Sequence, residues 1–226
     1  MAESSSGRVA ERKRHFWLVG FLIRLVKEKP LGTLGLVITL LLLLTGIFAD
    51  LIAPYGMNET WAGDPLTPPS VKFWFGTDSV GRDVFSRVVF GARISVIVGL
   101  TGSALSTIVS TIIGVASGYI GGKFDLIMQR FVDTMMCIPT LILLMVLSSI
   151  VGAGLWSIII ILGLIYGIPG SRILRGAVIG IKENVYVAAA VAIGAPPPRV
   201  ITRHILTIVM PFIILLFTVR VPAMVM

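Results

Sequence analysis

The chain has 226 residues, of which 56% are hydrophobic and only 13% are charged, and its formal net charge is +8. Its mean hydropathy is +0.98. Soluble domains carry about 25% charged residues, so this composition excludes an ordinary water-soluble domain. The basic residues cluster beside apolar segments, which favours membrane topology over a nucleic-acid-binding groove.

The N-terminal segment is polar and basic. It opens with MAESSSGRVAERKRH, rich in serine and charge, a composition typical of a disordered tail. We therefore predict a basic tail over residues 1–28, followed by a first transmembrane helix within residues 29–54.

Five apolar segments are long enough to be membrane-spanning helices, for which roughly 20 apolar residues are needed. Pro139 lies in the third segment and Pro169-Gly170 in the fourth, and both predict bends. We expect the fourth span to be bent or ended at its proline. The five predicted spans are Leu31–Ala53, Ile94–Tyr119, Thr134–Val151, Leu155–Ser171 and Ile205–Val225.

Residues 55–93 are predicted to form a loop between the first two spans, with turn-forming residues in its first part. In its second part, valines recur at roughly helical spacing after Asp78. Asp78 is well placed to cap a helix. We predict a short amphipathic helix that lies on the membrane surface and leads into the second span. A solvated loop with a few capping residues is the alternative.

Within the second span, Gly114 and Gly118 are four residues apart. Small residues at this spacing let helices approach closely in lipid. The pair indicates a helix bundle rather than isolated membrane anchors.

The distribution of lysine and arginine predicts the orientation. These residues concentrate in the N-terminal tail, in the loop after the second span and in segment 172–203, and fewer lie in loop 55–93. By the positive-inside rule, the first three regions are cytoplasmic and loop 55–93 is extracytoplasmic. We predict a multi-pass protein of the bilayer with a cytoplasmic N-terminus.

The sequence lacks the residue patterns of membrane enzymes and metal sites. It has no phosphate-binding loop, no HExxH motif and no cysteine or histidine cluster. The predicted spans carry almost no ionisable residues in their interiors, since Asp50, Arg172 and Arg220 fall near their edges. Cys137 is the single cysteine, so no internal disulfide can form. We expect no catalytic residue and no metal ligand.

The stretch YVAAAVAIGAPPPRVITRHIL, residues 186–206, interrupts the apolar pattern. It begins with small side chains, is stopped by Gly194 and three prolines, and continues with Arg203 and His204. A cytoplasmic element with small side chains and flanking positive charge suits docking to another protein. An ordinary interhelical loop is the alternative.

This stretch resembles the coupling loop of ABC importer permeases, whose pattern is Glu-Ala-Ala, three residues, then Gly. Three more stretches resemble the peptide and nickel subfamily: LIAPY at 51–55, GTDSVGRDVFSRVVFGARIS at 76–95 and GYIGGKFD at 118–125. The chain thus resembles the C-type permease subunit of dipeptide, oligopeptide or nickel ABC transporters. It departs from the family pattern by having Ala188 for the glutamate, Val191 for the following arginine and Thr207 for the later proline.

The resemblance implies an all-α polytopic membrane protein with the type I ABC importer permease fold. Its permease core would occupy residues 94–226 and include a cytoplasmic coupling loop at 182–204. The family has a sixth core helix beyond the fifth, so we expect a truncated sequence. The residues implied to couple to an ATP-binding subunit are Tyr186, Ala188, Ala189, Ala190, Gly194, Arg203 and His204.

The resemblance also implies partners. The chain would form the pathway for peptides, or a similar small solute, with a second permease subunit. Two ATP-binding subunits would hold ATP and Mg, so this chain would itself bind no cofactor and would not be an enzyme. An extracytoplasmic solute-binding protein would deliver the solute, and no nucleic acid is expected. The implied location is the inner membrane of a prokaryote. The alternative is a non-transporting scaffold or inactive remnant, which Ala188 and the lack of a sixth span favour.

Overall fold

The computed structural model describes residues 26–152 and 154–226, and the regular structure in these ranges is helical apart from a single β-bridge between Thr77 and Asp83. The helices, in chain order, are α1 (Pro30–Ile47), α2 (Ala49–Ile52), α3 (Val84–Ile120), α4 (Gly122–Cys137), α5 (Thr140–Val151), α6 (Leu155–Lys182), α7 (Val185–Ala192), α8 (Pro197–Val200), a π-helical turn (Ile201–Ile205) and α9 (Leu206–Val225).

Four stretches of helix are long and apolar enough to cross a membrane, namely α1, α3, α6 and the continuous run Pro197–Val225. A fifth span is possible if α4 and α5, bent by 93° at their junction, are counted as one. The predicted all-α polytopic membrane fold is therefore confirmed.

The chain divides into two compact units, of which the first is Met1–Ile94. The apolar helix α1 ends at Ile47, and the single-turn helix α2 follows it, so the predicted span Leu31–Ala53 is interrupted near its end. Arg93 donates hydrogen bonds to both carboxylate oxygens of Asp50, at 3.0 and 2.6 Å. These bonds lower the pKa of Asp50 below its ordinary value.

The loop before α3 is fixed by two aspartates, and the predicted role of the first is wrong. Asp83, not Asp78, caps the helix, since its Oδ2 accepts hydrogen bonds from the backbone N–H and the hydroxyl of Ser86 at 2.8 and 2.6 Å. Asp78 instead closes the preceding turn by accepting from the backbone N–H groups of Val80 and Arg82. No separate amphipathic helix forms in the described loop, because the helix that begins at Val84 continues to Ile120.

The second unit, Ser95–Met226, contains the buried apolar core of the bundle. Its centre is formed by side chains from α3, α6, α7 and the helical run from α8 to α9. The fully buried members include Leu174, Val178, Val200, Ile205 and Val209.

Within the second unit, α3 and α6 pack closely because both helices have glycines at their contact. A Cβ on Gly114 would lie 2.6 Å from the carbonyl oxygen of Ser171, and one on Gly118 would lie 2.9 Å from Val178. On α6, a Cβ on Gly167 would lie 2.8 Å from Val109. Contacts this short leave no room for a side chain. The close helix approach predicted from Gly114 and Gly118 is therefore what the structure contains.

Two prolines act differently from each other. Pro139 separates α4 from α5, because the residue before a proline avoids helical dihedral angles and Ile138 has φ −88° and ψ 126°. Pro169, by contrast, lies inside α6, which runs on to Lys182. Of the two outcomes predicted for Pro169-Gly170, a bend or an end, the end is wrong, and the helix continues beyond the predicted bound Ser171. Packing of the α6 glycines against α3 holds the helix together across the proline.

Ion pairs join α4 to α6 near one end of the bundle. The guanidinium of Arg175 donates to both carboxylate oxygens of Asp125, each at 2.5 Å, and the hydroxyl of Ser117 on α3 donates to the same carboxylate. Arg172 pairs with Asp133. Lys182 donates to the backbone carbonyl of Tyr119 at 2.6 Å. These contacts fix the end of α6 from which α7 begins.

Candidate functional site

The short helix α7 ends in a hydrogen-bonded turn that requires glycine. Gly194 has φ +84°, a left-handed conformation that residues with a Cβ rarely adopt. Its N–H donates to the carbonyl of Val191, and the N–H of Ala195 donates to that of Ala190, both at 3.0 Å. These two bonds are the Schellman motif, which pairs the last carbonyls of a helix. The prediction that Gly194 terminates the helix is confirmed.

One face of α7 is anchored and the other is free. Val187 and Ala190 are 2% and 7% exposed, and Val187 packs in the bundle core. Tyr186, Ala189 and Val191 are exposed, and Ile193, just after the helix, is 87% exposed. Burying the first face holds the helix in place, and the second face is left available to a partner.

The next helix begins at the prolines rather than after them. Pro197 and Pro198 occupy the first turn of α8, where a missing N–H costs nothing because those groups have no helical partner. The chain then makes one π-helical turn, in which the N–H of Leu206 reaches the carbonyl of Ile201. Such turns are frequent at functional sites, and this one carries Arg203 and His204.

α7, the turn at Gly194 and the start of the helical run Pro197–Val225 border a depression of about 540 Å³ that is open to solvent. Six of the seven residues that the sequence predicts for coupling line it, whereas Ala188 is exposed outside it. Three lining residues were not predicted. The lining consists of Tyr186, Ala189, Ala190, Ile193, Gly194, Ala195, Arg199, Arg203 and His204.

The unpredicted residues had weak sequence signals. Ile193 is an apolar residue next to the glycine that stops the helix, and Arg199 directly follows the prolines. What brings them to the depression is the Schellman turn, which reverses the chain after α7.

The depression combines small and apolar side chains with positive charge. Arg199 and Arg203 line it, and no carboxylate is among its lining residues in the described chain. Ala189 and Gly194 leave its floor shallow, so another surface can approach the backbone. No group of three or more potential metal ligands occurs in the described ranges, and the lining of the depression pairs no carboxylate with His204. The arrangement is suited to protein docking.

Two parts of the chain match known protein families. Residues 110–226 match the family model of the binding-protein-dependent transport system inner membrane component. Residues 19–69 match that of the N-terminal transmembrane domain of oligopeptide transport permease C. The two matches together include α1 and the whole of the depression.

Individual relatives are similar over most of the chain. An oligopeptide transport system permease protein of Bacillus subtilis (strain 168) is 36% identical over 87% of this chain and 64% of its own length. A dipeptide transport system permease protein of the same organism is 36% identical over 88% of the chain and 62% of its own length. A probable D,D-dipeptide transport system permease protein of Escherichia coli (strain K12) is 36% identical over 82% and 62%. The chain thus spans less than two thirds of the length of these relatives.

Proposed function

Since the chain belongs to the family of binding-protein-dependent transport system inner membrane components, we propose that it is a permease subunit of an ATP-driven peptide importer. It would form the solute pathway with a second permease subunit. ATP and Mg would be held and hydrolysed on two separate ATP-binding subunits, so this chain would be neither an enzyme nor cofactor-binding. A solute-binding protein would deliver the peptide from outside.

The observation that carries the proposal is the depression between α7 and the start of the Pro197–Val225 helix. It is exposed and is lined by small and basic side chains. One wall is α7, which follows α6 in sequence, and the other is the start of the long helical run Pro197–Val225. A partner seated there would push on both helices at once. We propose that it receives an ATP-binding subunit through Tyr186, Ala189, Ala190, Gly194, Arg203 and His204, with Ala188 contributing from outside the depression.

The similar proteins support peptides as the solute class, because three of them are permeases for oligopeptides, dipeptides and D,D-dipeptides by name. With the basic segments on the inner side, the N-terminus and segment 182–204 would face the cytoplasm of a prokaryotic cell. Residues 55–93 would then face the solute-binding protein.

The test is ATP-driven uptake by the reconstituted importer. Ala189→Trp places a bulky ring in the depression, where the alanine is exposed and no space inside the bundle is needed. Forcing a bulky group into a packed contact typically costs about 1–3 kcal/mol, which is roughly a five- to 160-fold loss of association. We expect this variant to lose peptide uptake and the stimulation of ATPase activity by loaded binding protein.

The matched control is Thr202→Trp, which adds the same ring at an exposed position that does not line the depression. It should retain uptake and ATPase stimulation. Equal activity of Ala189→Trp and wild type would rule out the depression as the coupling surface. A wild-type complex that takes up no peptide would favour a non-transporting scaffold.

A further inference from the structure

The carboxylate of Asp125 joins three helices. It accepts two hydrogen bonds from the guanidinium of Arg175 on α6, through Nε and Nη2 and each at 2.5 Å. The hydroxyl of Ser117 on α3 donates to the same carboxylate, and the amide of Gln129, one turn further along α4, donates to that hydroxyl at 3.2 Å. Paired bonds from arginine to a carboxylate are stronger and more directional than single ones. We call Ser117, Asp125 and Arg175 the carboxylate clamp.

The clamp lies where α3 and α6 are closest. A Cβ on Gly114 would be 3.1 Å from the backbone nitrogen of Arg175, and one on Gly118 would be 3.0 Å from its carbonyl oxygen. The backbone of Arg175 is therefore fixed against α3, while its side chain extends to α4. The side chains of Arg175 and Asp125 are 30% and 16% exposed, and partly buried pairs are screened less by salt than surface pairs.

Charged contacts hold α4 on α6. In the described chain, Val132 is the one fully buried side chain of α4. The helix begins directly after two glycines, Gly121 and Gly122, with φ +70° and +57°, and it ends at the 93° bend. Asp133 forms a second ion pair with Arg172 of α6. With so little apolar burial, the attachment of α4 to α6 depends on these pairs.

The same segment of α6 also carries α7. Only Glu183 and Asn184 separate the two helices. Val187 of α7 belongs to the buried core that includes Leu174 and Val178, which lie on either side of Arg175 in sequence. A displacement of α7 therefore acts on the part of α6 from which Arg175 extends to α4.

An apolar cavity of about 470 Å³ has walls from α4, α5 and α6. Met135 and Met136 line it from α4, and Leu164 and Tyr166 line it from α6. The volume is within the range of small-molecule sites. Because α4 and α6 form different walls, their relative position sets the width of this cavity.

We propose that Asp125 and Arg175 are positioning residues of the importer, whose ion pair holds α4 on α6 so that a displacement of α7 moves both walls of the cavity together. This inference rests on the proposed function and deepens it, because it names the contact that carries movement from the coupling surface to α4. A guanidinium with two parallel bonds fixes both distance and orientation between the helices, which a single bond does not.

The holding role is tested by hydrogen exchange in the reconstituted complex, a measurement independent of transport. Arg175→Gln removes the guanidinium, and we expect amide exchange of α4 to become about fivefold faster. Exchange of α7 should not change, because the burial of Val187 does not require the pair. The matched control is Arg130→Gln, which changes an arginine that is 77% exposed and whose partner Asp133 is on the same helix. It should exchange as wild type.

The coupling role is tested by the number of peptides transported per ATP hydrolysed, with the tripeptide Ala-Ala-Leu as the solute. We expect Arg175→Gln to lower this ratio about fivefold, since coupling between sites is a free energy that one lost contact reduces. ATPase stimulation by loaded binding protein should persist, because the depression is unchanged. Arg130→Gln should keep the wild-type ratio.

A covalent tether should replace the ion pair. Asp125→Cys with Arg175→Cys, in a Cys137→Ser background, removes both charges together and so leaves neither one buried and unpaired. We expect a low ratio of peptide to ATP in this variant, and recovery after reaction with a short bifunctional methanethiosulfonate. A one-ended reagent should give no recovery. This variant also decides the matter if the Arg175→Gln chain is degraded.

Three results would overturn the proposal. The first is unchanged exchange of α4 in Arg175→Gln. The second is faster exchange of α4 with an unchanged ratio of peptide to ATP. The third is a tethered complex that is blocked, which would show that α4 and α6 must separate during transport. A wild-type complex that hydrolyses ATP and takes up no peptide would instead refute the proposed function, while the exchange of α4 would still test the clamp.

Discussion

Gly194 and Gly114 illustrate two separate physical requirements for glycine. At Gly194 a Cβ would meet nothing within 4 Å, but φ is +84°, so the backbone conformation alone selects glycine. At Gly114 the space is filled by the backbone of Ser171, 2.6 Å from the position of a Cβ. Substitutions at the two positions should therefore fail for different reasons.

The requirement for a left-handed backbone conformation at Gly194 can be tested with residues that differ in their preference for that conformation. Asparagine tolerates the left-handed region and valine does not. Gly194→Asn should be close to wild type in thermal stability, whereas Gly194→Val should cost about 1–3 kcal/mol from backbone strain. Thermal unfolding of the purified chain measures both. Equal loss in the two variants would show that side-chain space, and not φ, sets the requirement.

Asp78 provides a pH prediction. Backbone hydrogen bonds, that from Arg82 first, and the guanidinium groups of Arg82 and Arg87 hold the pKa of Asp78 well below its usual range. A lowered pKa means that the charged form stabilises the folded loop. This contribution is complete above the unfolded value of about 3.9 and is lost as the pH falls through the lower folded value. Asp78→Asn should therefore make the loop more sensitive to proteolysis at pH 7.

The difference between Asp78→Asn and wild type should narrow at acidic pH, below about 4, because the Asp78 carboxylate of the unfolded loop then takes up a proton. Asp64→Asn changes an exposed carboxylate of the same loop and is the control. It should leave the cleavage rate of residues 55–83 unchanged at either pH. A constant difference between Asp78→Asn and wild type across the pH range would contradict the role of its charge.

Among the helices, apolar length predicted four of the five candidate spans; the other, Thr134–Val151, is broken between α4 and α5 and is a span only if these two helices are counted together. Pro139 and Pro169 give similar local signals, and one divides a helix while the other is enclosed by one. The difference lies in tertiary packing, because the glycines around Pro169 allow α6 to pack closely against α3. The capping of α3 was predicted five residues too early for a related reason. Asp78 and Asp83 are both capping residues, and only the folded turn shows which one faces the helix.

The packing of α3 on α6 leads to a paired glycine test. Gly114→Ala must separate the helices, since its Cβ would lie 2.6 Å from a backbone oxygen and 2.9 Å from Leu174. Overpacking of this kind costs about 1–3 kcal/mol. Gly180→Ala, on α6 with nothing within 4 Å, should instead stabilise the helix by about 0.5–1 kcal/mol. Thermal unfolding in detergent compares them. Opposite signs are expected, and a destabilised Gly180→Ala would contradict the packing argument.

At the level of the whole molecule, family membership and membrane fold could be predicted from the sequence because several of its motifs are long and specific. Six lining residues of the depression were predicted as a group from one contiguous stretch, in which most neighbours in sequence are also neighbours in space; their coupling role is a proposal. The sequence predicted that Arg220 lies near a membrane edge, where charge is common. In the structure it lies beside Tyr166 and Gly170 of α6 and near Ser110 of α3, all of which are distant in sequence. Such a constellation has no local signature.

The orientation in the membrane remains a prediction and has a direct test. In a Cys137→Ser background, Ser79→Cys should react with an impermeant thiol reagent in intact cells, and Asn184→Cys only after permeabilisation. Both positions are exposed. The positive-inside distribution of lysine and arginine is the physical reason. The reverse pattern would place the depression outside and remove the basis of the coupling proposal.

The continuity of the run from Pro197 to Val225 makes it a lever. At 1.5 Å per residue its 29 residues extend about 43 Å, so a tilt of about 5° at the docking end moves the far end by nearly 4 Å. Pro211 removes one backbone hydrogen bond partway along, so the run can also bend there. A push on His204, near one end, would thus be delivered as a displacement of Arg220, near the other. In the importer that we propose, a subunit that binds the depression would therefore move residues inside the bundle that it never touches.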